Sequence, residues 1–415
     1  MKKLSNIEKK DKIQKQAIKA WIDCGKQGTL EMITGIGKTF CALHALYTMP
    51  KNDGKIHLFL AEVTDRENDL HKDILKYNQI FNRNVLKDYD LEFYCYQTVY
   101  KWKNKSFGLV IADELHDSLS SSYSKFYFNN KYDAIIGLSA TINKTITYTD
   151  DNGKYYTKGD LLNQIAPICF KYNLKQAKED KTTRKLKITV IKTKLDNTNK
   201  YIVAGNARKR FYQTEVAAYS YWDKEFKKSI NINEFNEFGI LDNDKVEEKN
   251  RKIMITSSKR KNIIYNSLEK IQVCKILLSK INSKTIVFGN SLDSLLKVTK
   301  NVVSSRNKDE VNDKIKDLFN NNKIKEIGSF KKLKQGTNLS GLDVVILMSY
   351  YGTSLDWIQR IGRLRDDGTI GNVIILLTEE SQEITWFNNM LQESGDLDIT
   401  YYNNINEYIN ERYNI

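Results

Sequence analysis

Met32-Ile33-Thr34-Gly35-Ile36-Gly37-Lys38-Thr39 stands between an apolar run, Leu30-Glu31-Met32-Ile33, and a helical pattern, Phe40-Cys41-Ala42-Leu43-His44-Ala45-Leu46. Strand, glycine loop and helix in that order form the context in which a loop cradles phosphate. Gly35 and Gly37 let backbone N–H groups approach the phosphates, and the helix N-terminus adds partial positive charge. Lys38 then reaches the β- and γ-phosphates of a nucleotide, and the Thr39 hydroxyl ligates Mg²⁺. The usual first glycine of such a loop is Met32 here. A Gly-Lys-Thr in an ordinary turn is the bland alternative, and the flanking strand and helix weigh against it.

Further along, 75 residues beyond Lys38, Asp113-Glu114-Leu115-His116 follows the buried run Gly108-Leu109-Val110-Ile111-Ala112. A carboxylate at the end of a strand neighbouring the first is placed to hold Mg²⁺ opposite Thr39. The next carboxylate, Glu114, is placed to orient and deprotonate an attacking water. A lone Asp-Glu pair is usually solvated surface; four apolar residues before it and a phosphate loop upstream make it catalytic.

Around these motifs the chain alternates short apolar runs with helical patterns, which is how a parallel sheet with crossover helices reads. Leu30–Ile33, Ile56–Leu60, Gly108–Ala112 and Ala134–Leu138 are the strands of a first α/β domain, residues 1–175. Tyr148–Tyr156 holds an Asn-Gly turn between aromatic arms, a hairpin signal. Thr285–Phe288, Val344–Met348 and Val373–Leu377 are strands of a second such domain, residues 176–415, with the join near 175–190. Ile264, Leu268, Ile271, Lys275 and Leu278 keep helical spacing before it. Between about 200 and 255 lies a charged, Asn-rich helical insertion. Phe211, Glu215, Tyr219, Trp222 and Phe226 share one face there, flanked by Arg208-Lys209-Arg210 and Lys227-Lys228. A solvated helix accounts for that pattern; a contact with nucleic-acid backbone is the sharper alternative.

The chain has 415 residues, 40% of them hydrophobic, enough for two or three ordinary cores. Its formal charge of +15 favours a polyanionic partner, nucleic acid first. No apolar stretch of ~18 residues suggests a membrane span. The start, Met1-Lys2-Lys3-Leu4-Ser5, lacks the apolar run of a signal peptide. Five scattered cysteines form neither a disulfide framework nor a metal knuckle. The histidines show no metal spacing, and the cysteine pattern gives the expectation of a reduced, cytoplasmic protein. The high Lys, Asn, Ile and Tyr content is that of an AT-rich genome, such as a phage's.

The phosphate loop and the Asp-Glu-Leu-His box, with Leu138-Ser139-Ala140-Thr141 after the next strand, resemble the DExH-box helicases of superfamily 2. The run Leu30–Thr39 is similar to the branch containing restriction-enzyme motor subunits and phage recombination helicases. The resemblance implies two tandem RecA-like domains that bind ATP and Mg²⁺ through Thr34, Gly35, Ile36, Gly37, Lys38 and Thr39, with Asp113 on the metal. Ile13-Gln14-Lys15-Gln16-Ala17-Ile18 is similar to the family's Q motif, which implies Gln14 on the adenine edge, although the usual preceding arginine is absent. Thr285–Phe288 resembles motif IV. Gln335-Gly336-Thr337-Asn338-Leu339 falls where motif V belongs, with Asn338 in place of an aspartate. Trp357-Ile358-Gln359-Arg360-Ile361-Gly362-Arg363-Leu364-Arg365 resembles motif VI.

Motif VI supplies positive charge to the γ-phosphate as the transition state forms. Arg363 is the principal finger, with Gln359 on the same helix face. The family's last arginine falls at Asp366, so Arg365, one position early, is a helper at most. His116, Ser139, Thr141, Gly336 and Asn338 are implied to couple nucleotide state to movement. Thr64 and Arg66 (in Ala61-Glu62-Val63-Thr64-Asp65-Arg66), Gln97 and Thr98 (in Tyr96-Gln97-Thr98) and Thr337 are implied to grip backbone phosphates. The expected activity is that of an ATP-dependent DNA helicase or translocase that unwinds or branch-migrates DNA. It works as a monomer on single-stranded, duplex or branched DNA. The alternatives are an RNA helicase of the same superfamily and a non-hydrolysing nucleic-acid-binding scaffold.

Overall fold

Continuous apolar runs, buried on both faces, form strands that only a parallel sheet covered by helices can accommodate. The computed structural model describes residues 6–149, 155–182, 184–205, 209–235, 242–330, 333, 339–350, 360–364, 369–394 and 397–413. They fall into two units. The first runs to Lys185 and includes Arg360–Leu364 and Thr369; the second takes the rest from Leu186 onward.

In the first unit the strands are β1 Gln27–Met32, β2 Ile56–Ala61, β3 Asp90–Cys95, β4 Ser106–Asp113 and β5 Lys131–Ser139. A hairpin of β6 Thr147–Thr149 and β7 Tyr155–Thr157 follows, then β8 Ile168–Tyr172. The main sheet has the order β3-β2-β4-β5-β1-β8 and is parallel throughout. Alternate strand residues face opposite cores. Phe59, Leu109, Ile111 and Leu138 pack with Ile13, Ala17 and Trp21 of helix Asn6–Asp23 and with Leu43 of helix Lys38–Leu46. Leu58, Val110 and Ile135 pack with Val99, Leu161 and Ile165. Trp21, fully buried, donates its indole N–H to Ile135 O at 2.8 Å, which satisfies its one polar atom.

One expectation changes here. The strand bearing Asp113 is not adjacent to the strand bearing the phosphate loop: β5 lies between β4 and β1. Register nonetheless levels the three strands, since Leu138 pairs with both Leu30 and Asp113. The loops after β1, β4 and β5 therefore leave the same sheet edge at the same height. The carboxyl edge of a parallel sheet is where ligands bind in open α/β folds.

The second unit contains β9 Leu186–Thr193, β10 Ile202–Gly205, β11 Arg210–Gln213, β12 Thr285–Phe288, β13 Val302–Ser304, β14 Glu326–Phe330, β15 Val344–Leu347, β16 Gly371–Thr378 and β17 Ile399–Tyr402. Seven of these form a parallel sheet of order β13-β14-β12-β15-β16-β9-β17. The stretch expected as a join, 175–190, instead ends in β9, whose Ile188, Val190 and Ile191 are buried. The expected boundary at 175 moves to Lys185, and residues 360–364 and 369 group with the first unit rather than the second. Arg184, 5% exposed, helps to hold that segment by donating Nε to Thr369 O at 3.2 Å.

The 200–255 insertion is partly strand. Phe211, expected on a helix face, lies in β11, which pairs antiparallel with β10 as a two-stranded ribbon of its own. Helices Glu215–Ile230 and Asn243–Tyr265 follow and pack on each other through Ala218, Tyr219, Ile263 and Ile264. The single helix expected across 264–278 is broken at Asn266 and Ser267, and a new helix begins at Leu268. Asn266 caps the first helix through its backbone N–H, and its side-chain oxygen accepts from the hydroxyls of Ser291 and Ser294 at 2.7 and 2.8 Å.

Candidate nucleotide-hydrolysis site

The phosphate loop takes the conformation its glycines allow. Gly35 and Gly37 have φ of +87° and +93°, the left-handed region that a side chain resists. Gly37 also leaves no room for a Cβ, which would meet Gln14 Nε2 at 2.5 Å. Gln14 is 6% exposed and donates that amide to Ile36 O at 2.7 Å, so it is built into the wall of the loop. Lys38 opens helix Lys38–Leu46 and donates to Met32 O at 3.2 Å, spanning the loop it belongs to. Met32, fully buried, serves in the core where a glycine was expected. Thr34 is half-buried and Ile36 buried.

Across the edge, Asp113 ends β4 and is 8% exposed. Its backbone carbonyl accepts from the hydroxyl of buried Tyr96 at 2.8 Å. Glu114 follows with φ 48° and ψ 53°, a left-handed conformation that costs a non-glycine residue ~1 kcal/mol. Its Oε1 lies 3.8 Å from Lys38 Nζ. Its Oε2 is buried and makes no hydrogen bond. A carboxylate oxygen without a partner has the acceptor capacity that a general base for water requires.

Arg66 is the largest departure from expectation. Read from sequence as a phosphate-backbone contact, it turns inward. Its Nε donates to Asp113 Oδ2 at 2.7 Å and its Nη2 to Thr39 Oγ1 at 2.7 Å, with Asp73 Oδ2 3.6 Å from Nη1. Burial works against its charge, but Asp113 and Asp73 outweigh it and hold the guanidinium above its ordinary pKa. The two atoms expected to serve Mg²⁺ thus converge on one cationic group, so their donor chemistry fits a cation. Thr39 and Asp113 are the residues that would hold the metal. Among the described residues no cluster of three or more His, Cys, Asp or Glu could hold one alone. When bound, the metal neutralises charge that develops on the phosphates.

His116 and Ser139 connect two of the loops. His116 Nδ1 lies 2.9 Å from Ser139 Oγ and 3.4 Å from Glu114 Oε2, while Nε2 is 3.4 Å from Asp117 Oδ1. Burial, opposed by Glu114 and helped by Lys158 and Lys38, lowers its pKa, so the ring is neutral near pH 7. Lys158 donates to His116 O at 2.7 Å. Ser139 Oγ also contacts Thr141 O at 3.2 Å, and Thr141 Oγ1 donates to Ala140 O.

Thr64, Gln97 and Thr98 are exposed just past the ends of β2 and β3, which are paired neighbours. Arg363, half-buried in the turn after Arg360, groups with the unit that carries the phosphate loop. Gln359, Arg365, Asp366, Gly336, Thr337 and Asn338 lie outside the described residues. Sequence reasoning missed the inward role of Arg66, the brace from Tyr96 and the contact from Lys158. Asp69 and Asp73, on the same helix as Arg66, were the one signal available for the first.

Two family models match the chain: the type III restriction enzyme res subunit over residues 8–144, and the helicase conserved C-terminal domain over residues 240–367. A protein of Sulfurisphaera tokodaii, named DNA 3′-5′ translocase XPB2, is 25% identical over 375 residues, covering 86% of this chain and 79% of its own. Among solved structures, S. cerevisiae Dbp5 bound to RNA and ADP BeF3 aligns with a TM-score of 0.57 at 11% identity over 94% of this chain and 89% of that one. The DNA-bound type ISP restriction-modification enzyme LlaBIII aligns at 0.54 with 15% identity, over 97% of this chain but 31% of the longer enzyme. Two parallel α/β units, a phosphate loop and a DExH box at one sheet edge agree with these matches: the chain belongs to the superfamily 2 helicases, which hydrolyse ATP.

Proposed function

We propose that the protein is an ATP-driven motor acting on DNA, whose hydrolysis site is the edge formed by residues 34–39, 113–116 and 139–141. The observation that carries this reading is the placement of Glu114, with Oε2 buried and unbonded and Lys38 3.8 Å from Oε1. Water attacks the γ-phosphorus, the bond to the ADP oxygen breaks, and Glu114 takes the proton. Lys38, with Arg363 as the finger, offsets the charge that builds on the transferred group. Gln14 fixes the loop and reads the adenine edge. The similarity to a relative named as a DNA translocase supports DNA as the track.

Thr64, Gln97 and Thr98 grip backbone phosphates on the exposed side of β2 and β3. A second contact is the β10–β11 ribbon, where Lys209, Arg210, Phe211 and Tyr212 are exposed together. Cations there meet phosphate and rings meet bases. Lys227 and Lys228 pair with Asp223 and Glu225 on their own helix, which leaves them to solvation. Unwinding or branch migration by a cytoplasmic monomer completes the proposal. Among the described residues no helix is long and apolar enough to cross a membrane.

Steady-state ATP hydrolysis with single-stranded, duplex and branched DNA, and with RNA, tests the reading. Stimulation by DNA, greatest with branched DNA, is expected. Stimulation by RNA alone would assign an RNA track, and no hydrolysis with any of them would leave a binding scaffold. Changing Lys209 and Arg210 to Gln tests the ribbon without uncovering Ile263 and Ile264, as deletion of the insertion would. A flatter salt dependence of DNA binding is expected, and an unchanged slope removes the ribbon from the interface.

A further inference from the structure

Arg66 bridges Thr39 and Asp113, two residues that lie 27 and 47 positions from it in the chain. Both partner oxygens are the ones the hydrolysis site would offer to its metal. The Asp113 side chain is 10% exposed and that of Arg66 13% exposed, so the pair sits where water screens it poorly. A buried carboxylate without a counter-charge is costly, and the guanidinium supplies one.

A divalent cation and this guanidinium cannot share the place. A metal bonded to the Thr39 hydroxyl would stand at ~2 Å from the oxygen that Arg66 Nη2 now approaches at 2.7 Å. Like charges at that range repel strongly in a poorly screened site. The same helix, Asp65–Phe81, offers Arg66 an alternative. Asp73 is already 3.6 Å from Nη1, and Asp69 stands one turn along and adds to the attraction. A rotation of the side chain alone would carry the guanidinium from one set of carboxylates to the other.

We infer that Arg66 is a positioning residue for the metal site: it stands in for the cation in the nucleotide-free chain, holding Thr39 and Asp113 together, and moves to Asp69 and Asp73 when the metal arrives. This rests on residues 34–39 and 113–114 being the nucleotide site. Arg66 consequently competes with the metal in the absence of nucleotide and keeps the empty site from taking up divalent ions by itself.

Binding of Mn²⁺ to the full chain, followed by the loss of the free-ion electron paramagnetic resonance signal, tests this with and without ADP. Wild-type protein is expected to bind Mn²⁺ weakly alone and firmly with ADP. Arg66→Gln is expected to tighten Mn²⁺ binding without nucleotide by at least about fivefold. It is also expected to lower the melting temperature in EDTA and regain it with Mn²⁺ and ADP. A merely structural arginine would lower melting equally in both conditions and leave Mn²⁺ affinity unchanged or weaker, and either result overturns the inference. Should Arg66→Gln fail to fold, Arg66→Met removes the charge and keeps an unbranched side chain. It is expected to shift affinity in the same direction, and wild-type affinity in that variant overturns the inference too. If wild-type protein takes up no Mn²⁺ even with ADP, the assignment of the nucleotide site fails first and the inference falls with it.

Discussion

Nδ1 of His116 lies 2.9 Å from Oγ of Ser139, joining the helical turn after β4 to the last residue of β5 through a buried hydrogen bond. The same ring stands 3.4 Å from Glu114 Oε2, so one imidazole touches both Ser139 and the carboxylate proposed to activate water. Ser139→Ala removes the bond and is expected to cost ~1 kcal/mol of stability. ATP hydrolysis should continue while strand displacement falls by about tenfold or more. Equal loss of both rates would show that Ser139 serves hydrolysis directly.

Lys38→Ala removes the charge facing the β- and γ-phosphates. Hydrolysis should fall by about a hundredfold or more, a typical loss for a charge that stabilises a transition state. Melting should barely move, because Nζ reaches only a main-chain acceptor at 3.2 Å and a carboxylate at 3.8 Å. Near-normal turnover would remove the loop from the site.

Glu114 separates catalysis from stability. Glu114→Gln should keep ATP affinity and stall turnover, since the amide has no basic oxygen to take the proton. Glu114→Gly should be equally inactive yet more stable by ~1 kcal/mol, because glycine adopts φ near +48° without strain. Urea denaturation of the two variants side by side measures the difference; a destabilised glycine variant would place the strain elsewhere.

Acid should unfold the first unit early. Burial, reinforced by Arg83, pushes His44 down to about 4, and burial lowers His57 and His116 as well. His57 Nδ1 accepts the Leu109 N–H at 2.9 Å and so cannot take a proton there without losing that bond. Folded values lie below the unfolded value of 6.5, so the unfolded chain binds more protons in the window between them. The stability these rings contribute is complete above about pH 6.5 and drains as pH falls toward 4. His44→Gln should flatten that loss by on the order of 2 kcal/mol. Denaturation midpoints at pH 7, 6 and 5 decide, and a stability independent of pH over that range counts against it.

In the second unit Lys270 and Glu383 are both fully buried, and the Lys270 ammonium meets Glu383 Oε2 at 2.5 Å. Glu383 also accepts from Tyr350 N at 3.0 Å and Thr378 N at 2.9 Å. Lys270→Met strands that carboxylate and should cost ~3–5 kcal/mol, whereas Lys270→Met with Glu383→Gln should recover part of it. A double variant worse than the single would mean the pair contributes by packing alone.

Much of the machinery was legible because its physics is local. A glycine loop between a strand and a helix, an Asp-Glu pair behind four apolar residues, and apolar runs with polar crossovers each declare themselves within a dozen residues. The strands β1, β2, β4, β5, β12, β15 and β16 follow from those runs. The side-by-side order did not, since nothing in the runs at 109–112 and 134–138 says that β5 separates β4 from β1. Leu186–Thr193 mixes lysine and threonine with its apolar residues and reads as a connector until a neighbouring strand on each side buries it. The spacing from Ile264 to Leu278 stays helical across a break at Ser267, beside which Asn266 bonds the hydroxyls of Ser291 and Ser294.

The sequence by itself thus determined the class of fold and marked out the glycine loop and the Asp-Glu pair as candidates for its site. Tertiary structure alone decided where the long side chains go. Arg66 sits among residues whose pattern assigns it to a surface, yet its guanidinium swings to partners 27 and 47 residues away in the chain. Glu114 Oε2 is buried and without a hydrogen bond only because separate segments of the chain close over it. Backbone propensity is written in neighbours along the chain. The electrostatics of a site depends on distance and burial, which come into being only when separate segments meet.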